Sequence, residues 1–162
     1  MKVAVSYFAQ LRNFTRNMIP VSTAAWDPKW YHDGSTQDHI FYDKRGILNG
    51  VRCTPMTPNP RLAQLCGGHN CTQKDNGTQC DFLKGYAKQL SCIPFENMKK
   101  YLDNFAKWVD ENYDIPSKDV ILVFMVYEKY DNPCSERNAI LEYFRNNGMP
   151  IEELRYPIKD NY

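Results

Sequence analysis

The sequence predicts an α/β fold: three layers built on a mostly parallel sheet with flanking helices, plus a Cys-rich loop lobe. Three observations carry that expectation. The run Val120 to Tyr127 is apolar without alternation, which suits a strand covered on both faces. Helix signals and a further strand-like segment follow it, and strand, helix, strand at that length makes a parallel crossover unit. The amino terminus "KVAVSYF" alternates Val3, Val5 and Tyr7, as a strand does. With 162 residues the chain fits one domain, 1–162, holding the Cys-rich insert 50–92 within it.

In chain order, strands are expected at 3–7 and 19–23, separated by the turn-like "RNFTRN". Residues 24–60 are rich in Pro, Gly, Asp and Thr and lack periodicity, so an irregular lobe is expected there. In "PFENMKKYLDNFAKWVDENY", Phe95, Met98, Leu102, Phe105, Trp108 and Val109 recur at spacings of three and four, the core-facing stripe of a helix. "IPSK" ends it and the central strand 120–127 begins. Asn132 as N-cap, Pro133 at the first helical position and Gly148 as the stop predict a helix over 133–147, and a last strand follows at 151–156.

Charge excludes more than it assigns. Twenty basic against nineteen acidic residues leave +1, so no global field gathers nucleic acid or anionic lipid. Nucleic-acid contact would have to be local, through Lys29, Lys44, Arg45 and Arg52. No apolar run approaches the ~20 residues that cross a bilayer, and the opening apolar stretch is too short for a secretory signal, so no membrane partner and a cytoplasmic location are expected.

The carboxyl end of a central parallel strand is where α/β proteins bind ligands. There "YEKYDNPCSER" places Glu128, Cys134, Ser135 and Arg137. In the first turn of the predicted helix, unpaired N–H groups and the dipole favour an anion or a thiolate. Arg137 could grip phosphate or carboxylate, and Glu128 could orient it or serve as acid or base. Tyr7 and Ser22 would end strands at the same edge, and Trp26 and Trp30 could stack a base there. The plainer alternatives are a solvated helix start with a buried thiol, and tryptophans capping the core.

The segments "SYFAQLRNF…IPVSTAAWDPKW" and "ILVFMVYEKYDNPCSERNAILEYFRNNGMPIEEL" resemble the domain-of-unknown-function 488 family of bacteria and phages. Its pattern pairs an early "YFA-L" strand and a Pro-Trp pair with a late Tyr-Glu-Lys and a Cys-His-Arg that opens a helix. Tyr7, Pro28, Trp30, Glu128, Cys134 and Arg137 fall on that pattern, whereas "CSER" puts Ser135 in place of the His and adds a residue before Arg137. The resemblance implies a compact α/β fold and phage or nucleotide-linked contexts.

The insert lies outside that pattern. Its Cys53, Cys66, Cys71 and Cys80 sit on Gly- and Asn-rich loops too poor in apolar residues to hold themselves. Zinc is the expected cofactor, held by Cys66, Cys71 and Cys80 with Cys53 as fourth ligand and His69 as its substitute. An iron–sulfur cluster uses the same thiolates, and free thiols or disulfides are the other readings. The function expected is binding of a nucleotide, nucleobase or related anionic small molecule at the sheet edge, with its processing left open. The alternative is a non-catalytic phage or bacterial interaction protein with a metal-stabilised lobe.

Overall fold

The computed structural model describes residues 1–32, 40–130 and 132–155, apart from the side chain of His69. Its strands are β1 (Lys2–Tyr7), β2 (Met18–Ser22), β3 (Phe41–Tyr42), β4 (Leu48–Asn49), β5 (Ile121–Val126) and β6 (Glu152–Glu153). Its helices are α1 (Pro60–Leu65), α2 (Asp81–Ser91), α3 (Phe95–Tyr113) and α4 (Glu136–Asn146). The main sheet has the order β2-β5-β1-β6, and every pairing in it is parallel, as the sequence predicts. β3 and β4 form a separate short hairpin in the lobe read as irregular.

β5 is central because nothing on it needs water: Leu122 through Val126 are all fully buried. Its two faces meet different neighbours. Leu122, Phe124 and Val126 pack with Val3 and Val5 of β1 against Leu102 and Phe105 of α3, Leu90 of α2 and Phe144 of α4. Val123 and Met125 face Phe8, Leu11, Phe14, Tyr31 and Ile47. The long helices therefore share one face, and the other is covered by the 3-10 turn Phe8–Asn13 and the irregular lobe.

Three boundaries differ from expectation. The last strand is two residues long, and Tyr156 at its predicted end lies outside the described residues. α4 starts at Glu136 because Ser135, not Asn132, caps it by accepting from the Arg137 N–H. Asn132 instead accepts from the Cys134 N–H at 2.9 Å, closing a tight turn ahead of the helix. α2 arises inside the insert, with Leu83, Tyr86 and Leu90 as its buried stripe.

The outer edge of β2 is occupied. Ser22 exchanges backbone bonds with Val51 and Cys53, and Pro20, two residues earlier, points the same way with no N–H to offer. The buried Tyr31 hydroxyl lies 2.8 Å from the Pro20 carbonyl and 2.6 Å from that of Val51. Among the described residues no helix is long and apolar enough to cross a membrane.

Candidate functional site

Beyond the carboxyl end of β5 the chain turns through Tyr127 to Ser135 and meets the amino end of α2. A cavity of about 550 Å³ opens between them. Cys66, Cys71, Cys80, Cys134 and Glu128 line it, with Leu65, Phe82, Leu83 and Pro133 as apolar wall.

Each thiol is delivered by a local device. Asn59 caps α1 by accepting from the Leu62 N–H, and Cys66 is the residue that ends this helix. Gly67 then passes so close to Cys71 that a β-carbon there would stand 2.7 Å from the Cys71 α-carbon, so only glycine lets the two segments meet. The Cys71 sulfur accepts from the Gln73 N–H at 3.3 Å. Cys80 caps α2, its sulfur accepting from the Leu83 N–H at 3.4 Å. Gln73 ties the two together through the Asp81 N–H and carboxylate. Cys134 arrives from the sheet side, and its thiol donates to the Lys74 carbonyl at 3.2 Å.

The electrostatics of this corner are those of crowded acids. Partial burial, and then the neighbouring Cys80, Cys71 and Cys66, hold the Cys134 thiol above its ordinary range. Burial raises Glu128, against the Ser135 hydroxyl at 3.2 Å and the nearby Arg137, which favour its charged form. Glu136, buried beside it, is pushed up to about 8 by desolvation and then by Glu128. A cation in the cavity would favour the charged forms of Cys134 and Glu128, which line it.

The structure brings together Glu128 and Cys134 from one part of the prediction and Cys66, Cys71 and Cys80 from another. Cys53 does not join them. It is fully buried in the main core, not on the cavity, and burial pushes its thiol up to about 11. The side chain of His69, its expected substitute, lies outside the described residues. Among those residues, no group of three or more His, Cys, Asp or Glu side chains is already disposed to hold a single metal ion.

Arg137 is not a ligand-facing cation. It is 3% exposed, pairs with Glu153 at 2.7 Å, and donates to the carbonyls of Lys129 (2.7 Å), Tyr130 and Asn132. It braces from behind the loop that presents Glu128 and Cys134. Nor do Tyr7 and Ser22 share a cleft. Tyr7 packs with the helix-side core and accepts from Gln10, while Ser22, next to the helix-facing Val21, points to the opposite face. Ser135 serves as cap and Glu128 partner.

On that opposite face the tryptophans stand out in solvent, Trp26 at 69% and Trp30 at 54% exposure, rather than capping the core. Trp30 meets Phe8 edge-on, and Phe8 in turn meets Tyr127. Sequence reading missed Asp27, set between those tryptophans. Its almost fully buried carboxylate accepts from Ser22, from Arg52 at 2.6 Å and from His32 at 2.6 Å, so Arg52 is committed to holding the lobe. Compared with family models, with curated proteins and with solved structures, the chain matches none.

Proposed function

We propose that the protein carries a metal centre on Cys66, Cys71, Cys80 and Cys134, and that the cavity around it takes an anionic small molecule of the nucleotide or nucleobase class. One observation carries the reading: four thiols from separate turns, with the carboxyl groups of Glu128 and Asp81, line a single cavity at the ligand-binding edge of a parallel sheet. Four thiolates form a complete ligand set for zinc or for an iron–sulfur cluster. The cavity's volume is within the range of small-molecule sites, so it can hold more than an ion. Lys74 is the cationic side chain on the wall, set against Asp81 and Glu128, and Glu128 is placed to exchange a proton with a bound molecule.

The exposed Trp26 and Trp30 lie outside this cavity, on the other face of the sheet, and could stack flat rings only as a second surface. The same exposed rings support the second reading, a non-catalytic interaction protein whose metal holds the lobe in shape. The resemblance to the 488 family, with its phage and nucleotide contexts, is part of this proposal.

Native mass spectrometry of the chain purified without chelator tests it. The expected spectrum carries a mass increment for metal and a second for a co-purified small molecule, both lost on acid denaturation. A metal increment alone would move the reading to the interaction protein. A bare chain mass, from cells supplied with zinc and iron, would end it.

A further inference from the structure

We infer that the face of the sheet opposite the long helices carries a second, shallow site for single-stranded nucleic acid, separate from the thiol cavity and independent of any metal. Its centre is an open cavity of about 380 Å³ where the 3-10 turn Phe8–Asn13, the turn Lys29–Tyr31 and the β3–β4 hairpin meet. Buried Phe8 and Leu11 line it together with Trp30, Phe41, Arg12 and Arg45. Trp30 is held out here as a platform. Its neighbour Tyr31 is fully buried, with its hydroxyl fixed to the Pro20 and Val51 carbonyls, so the turn bearing the indole is anchored. Phe8 and Tyr31 both meet the indole close to perpendicular, at 6.1 and 6.3 Å, and among the described residues no ring lies flat on it. Phe8 also meets Tyr127, itself half exposed, so the aromatic surface runs on to the end of β5. A continuous exposed surface of this kind marks a binding face.

Charge chooses the occupant. Arg12, Lys29 and Lys44 are exposed and pair with no described carboxylate, and Arg45 adds a fourth cation while bracing the carbonyls of Arg12 and Leu11. The two carboxylates described beside them are already engaged. Asp43 is held by Arg45 and by the N–H groups of Arg45 and Ile47, and Asp27, almost fully buried, by Arg52 and His32. Asp33 and Asp38 lie outside the described residues. Flat rings set among cations match unpaired bases on a phosphate backbone, whereas a duplex keeps its bases stacked inside and offers the indole nothing. With +1 over the whole chain, the attraction has to come from this patch.

The test is fluorescence anisotropy of a dye-labelled oligothymidylate titrated with the full chain, beside the same probe annealed into a duplex. An oligouridylate run in parallel tells DNA from RNA, and binding of either strand supports the site. The single strand should be preferred, with log K falling against log salt at a slope of about −2, as three phosphate contacts give. Trp30→Ala should weaken binding about tenfold, Trp30→Phe far less, and Arg12→Ala should make the salt slope shallower by about 0.7. Lys107→Ala, exposed on α3 across the sheet, should change neither. No binding at low salt, equal binding of the duplex, or Trp30→Ala binding as wild type does would overturn the inference. A dimer seen by sedimentation and dissolved by Trp30→Ala, with no oligonucleotide bound, would overturn it in favour of a second copy of this chain. Circular dichroism checks that each variant folds. Should Trp30→Ala fail to fold, Arg12→Ala decides, and an unchanged salt slope there overturns the site.

Discussion

The two walls of the thiol cavity are held in opposite ways. On the sheet side, Val120 and Leu122 through Val126 have no exposed surface, and the loop beyond is clamped by a buried guanidinium. On the insert side, between Pro60 and Cys80, only Ala63 and Cys80 are buried among the described side chains. That wall keeps its shape by short turns, one glycine contact and sulfurs used as hydrogen-bond acceptors. Burial of a large apolar side chain is worth about 2–3 kcal/mol, and the segment between Pro60 and Cys80 has almost none to contribute. The sheet wall is thus a scaffold of packed side chains, while the wall between Pro60 and Cys80 is one of local hydrogen bonds and close backbone contacts.

The largest break should come on the sheet side. Arg137→Ala removes a buried cation from Glu153 and strips donors from the carbonyls of Lys129, Tyr130 and Asn132. Loss of about 3 kcal/mol is expected, read as a lower urea midpoint, and Lys at this position should not restore it because an ammonium cannot reach several carbonyls in a plane. Unchanged stability in Arg137→Ala would mean the loop does not need its clamp.

A smaller effect on the same wall comes from alkali. Cys53 has a folded pKa of about 11 against an ordinary 9.0, so the unfolded chain gives up this proton first. Its contribution is complete below pH 9 and is lost as the pH rises to about 11, costing roughly 2–3 kcal/mol. Partly buried Tyr101 and fully buried Tyr31 and Tyr86, also raised chiefly by desolvation, extend the loss to higher pH. Urea melts across that window should show the decline, and Cys53→Val should make it shallower. An identical slope in that variant would remove Cys53 from the account.

The smallest change in stability, and the sharpest test of the contrast, belongs to the insert. Gly67→Ala places a methyl group against the Cys71 backbone and pushes apart the turns that deliver two thiols. Metal content should fall while the urea midpoint of metal-free protein stays within about 0.5 kcal/mol of wild type. A large loss of stability in the metal-free variant would show that the insert wall also supports the core.

The difference between the walls also explains what could be read in advance. Strands 3–7, 19–23 and 120–127 and the α3 stripe declare themselves by apolar pattern, and each forms within a residue or two of its expected place. α4 was misplaced by three residues because Asn132 and Pro133 imitate a helix start, and capping by Ser135 shows only once the turn is built. α2 hid behind a cysteine cap, which no N-cap preference flags. The site was legible in halves. Glu128 and Cys134 could be assigned to the sheet edge, and Cys66, Cys71 and Cys80 to one another as neighbours in the insert. Their meeting depends on how α2 docks on α4, a tertiary fact with no local signature. Arg137 misled for the same reason, since its partner Glu153 returns to the sheet only beside β1.

The two rims of the sheet carry a further consequence, for how these molecules behave toward one another. A bare strand edge invites a second chain to add its own strand and start aggregation. At the β2 rim, Met18 and Ser22 have donated their N–H groups to carbonyls of their own chain, Pro20 has none to give, and Tyr31 covers its carbonyl. At the β6 rim stand only Glu152 and Glu153, two residues too short and too charged to template a neighbour. The Arg137–Glu153 pair that steadies the cavity loop also anchors this rim, so loosening it should promote self-association of the folded chain as well as lower its stability.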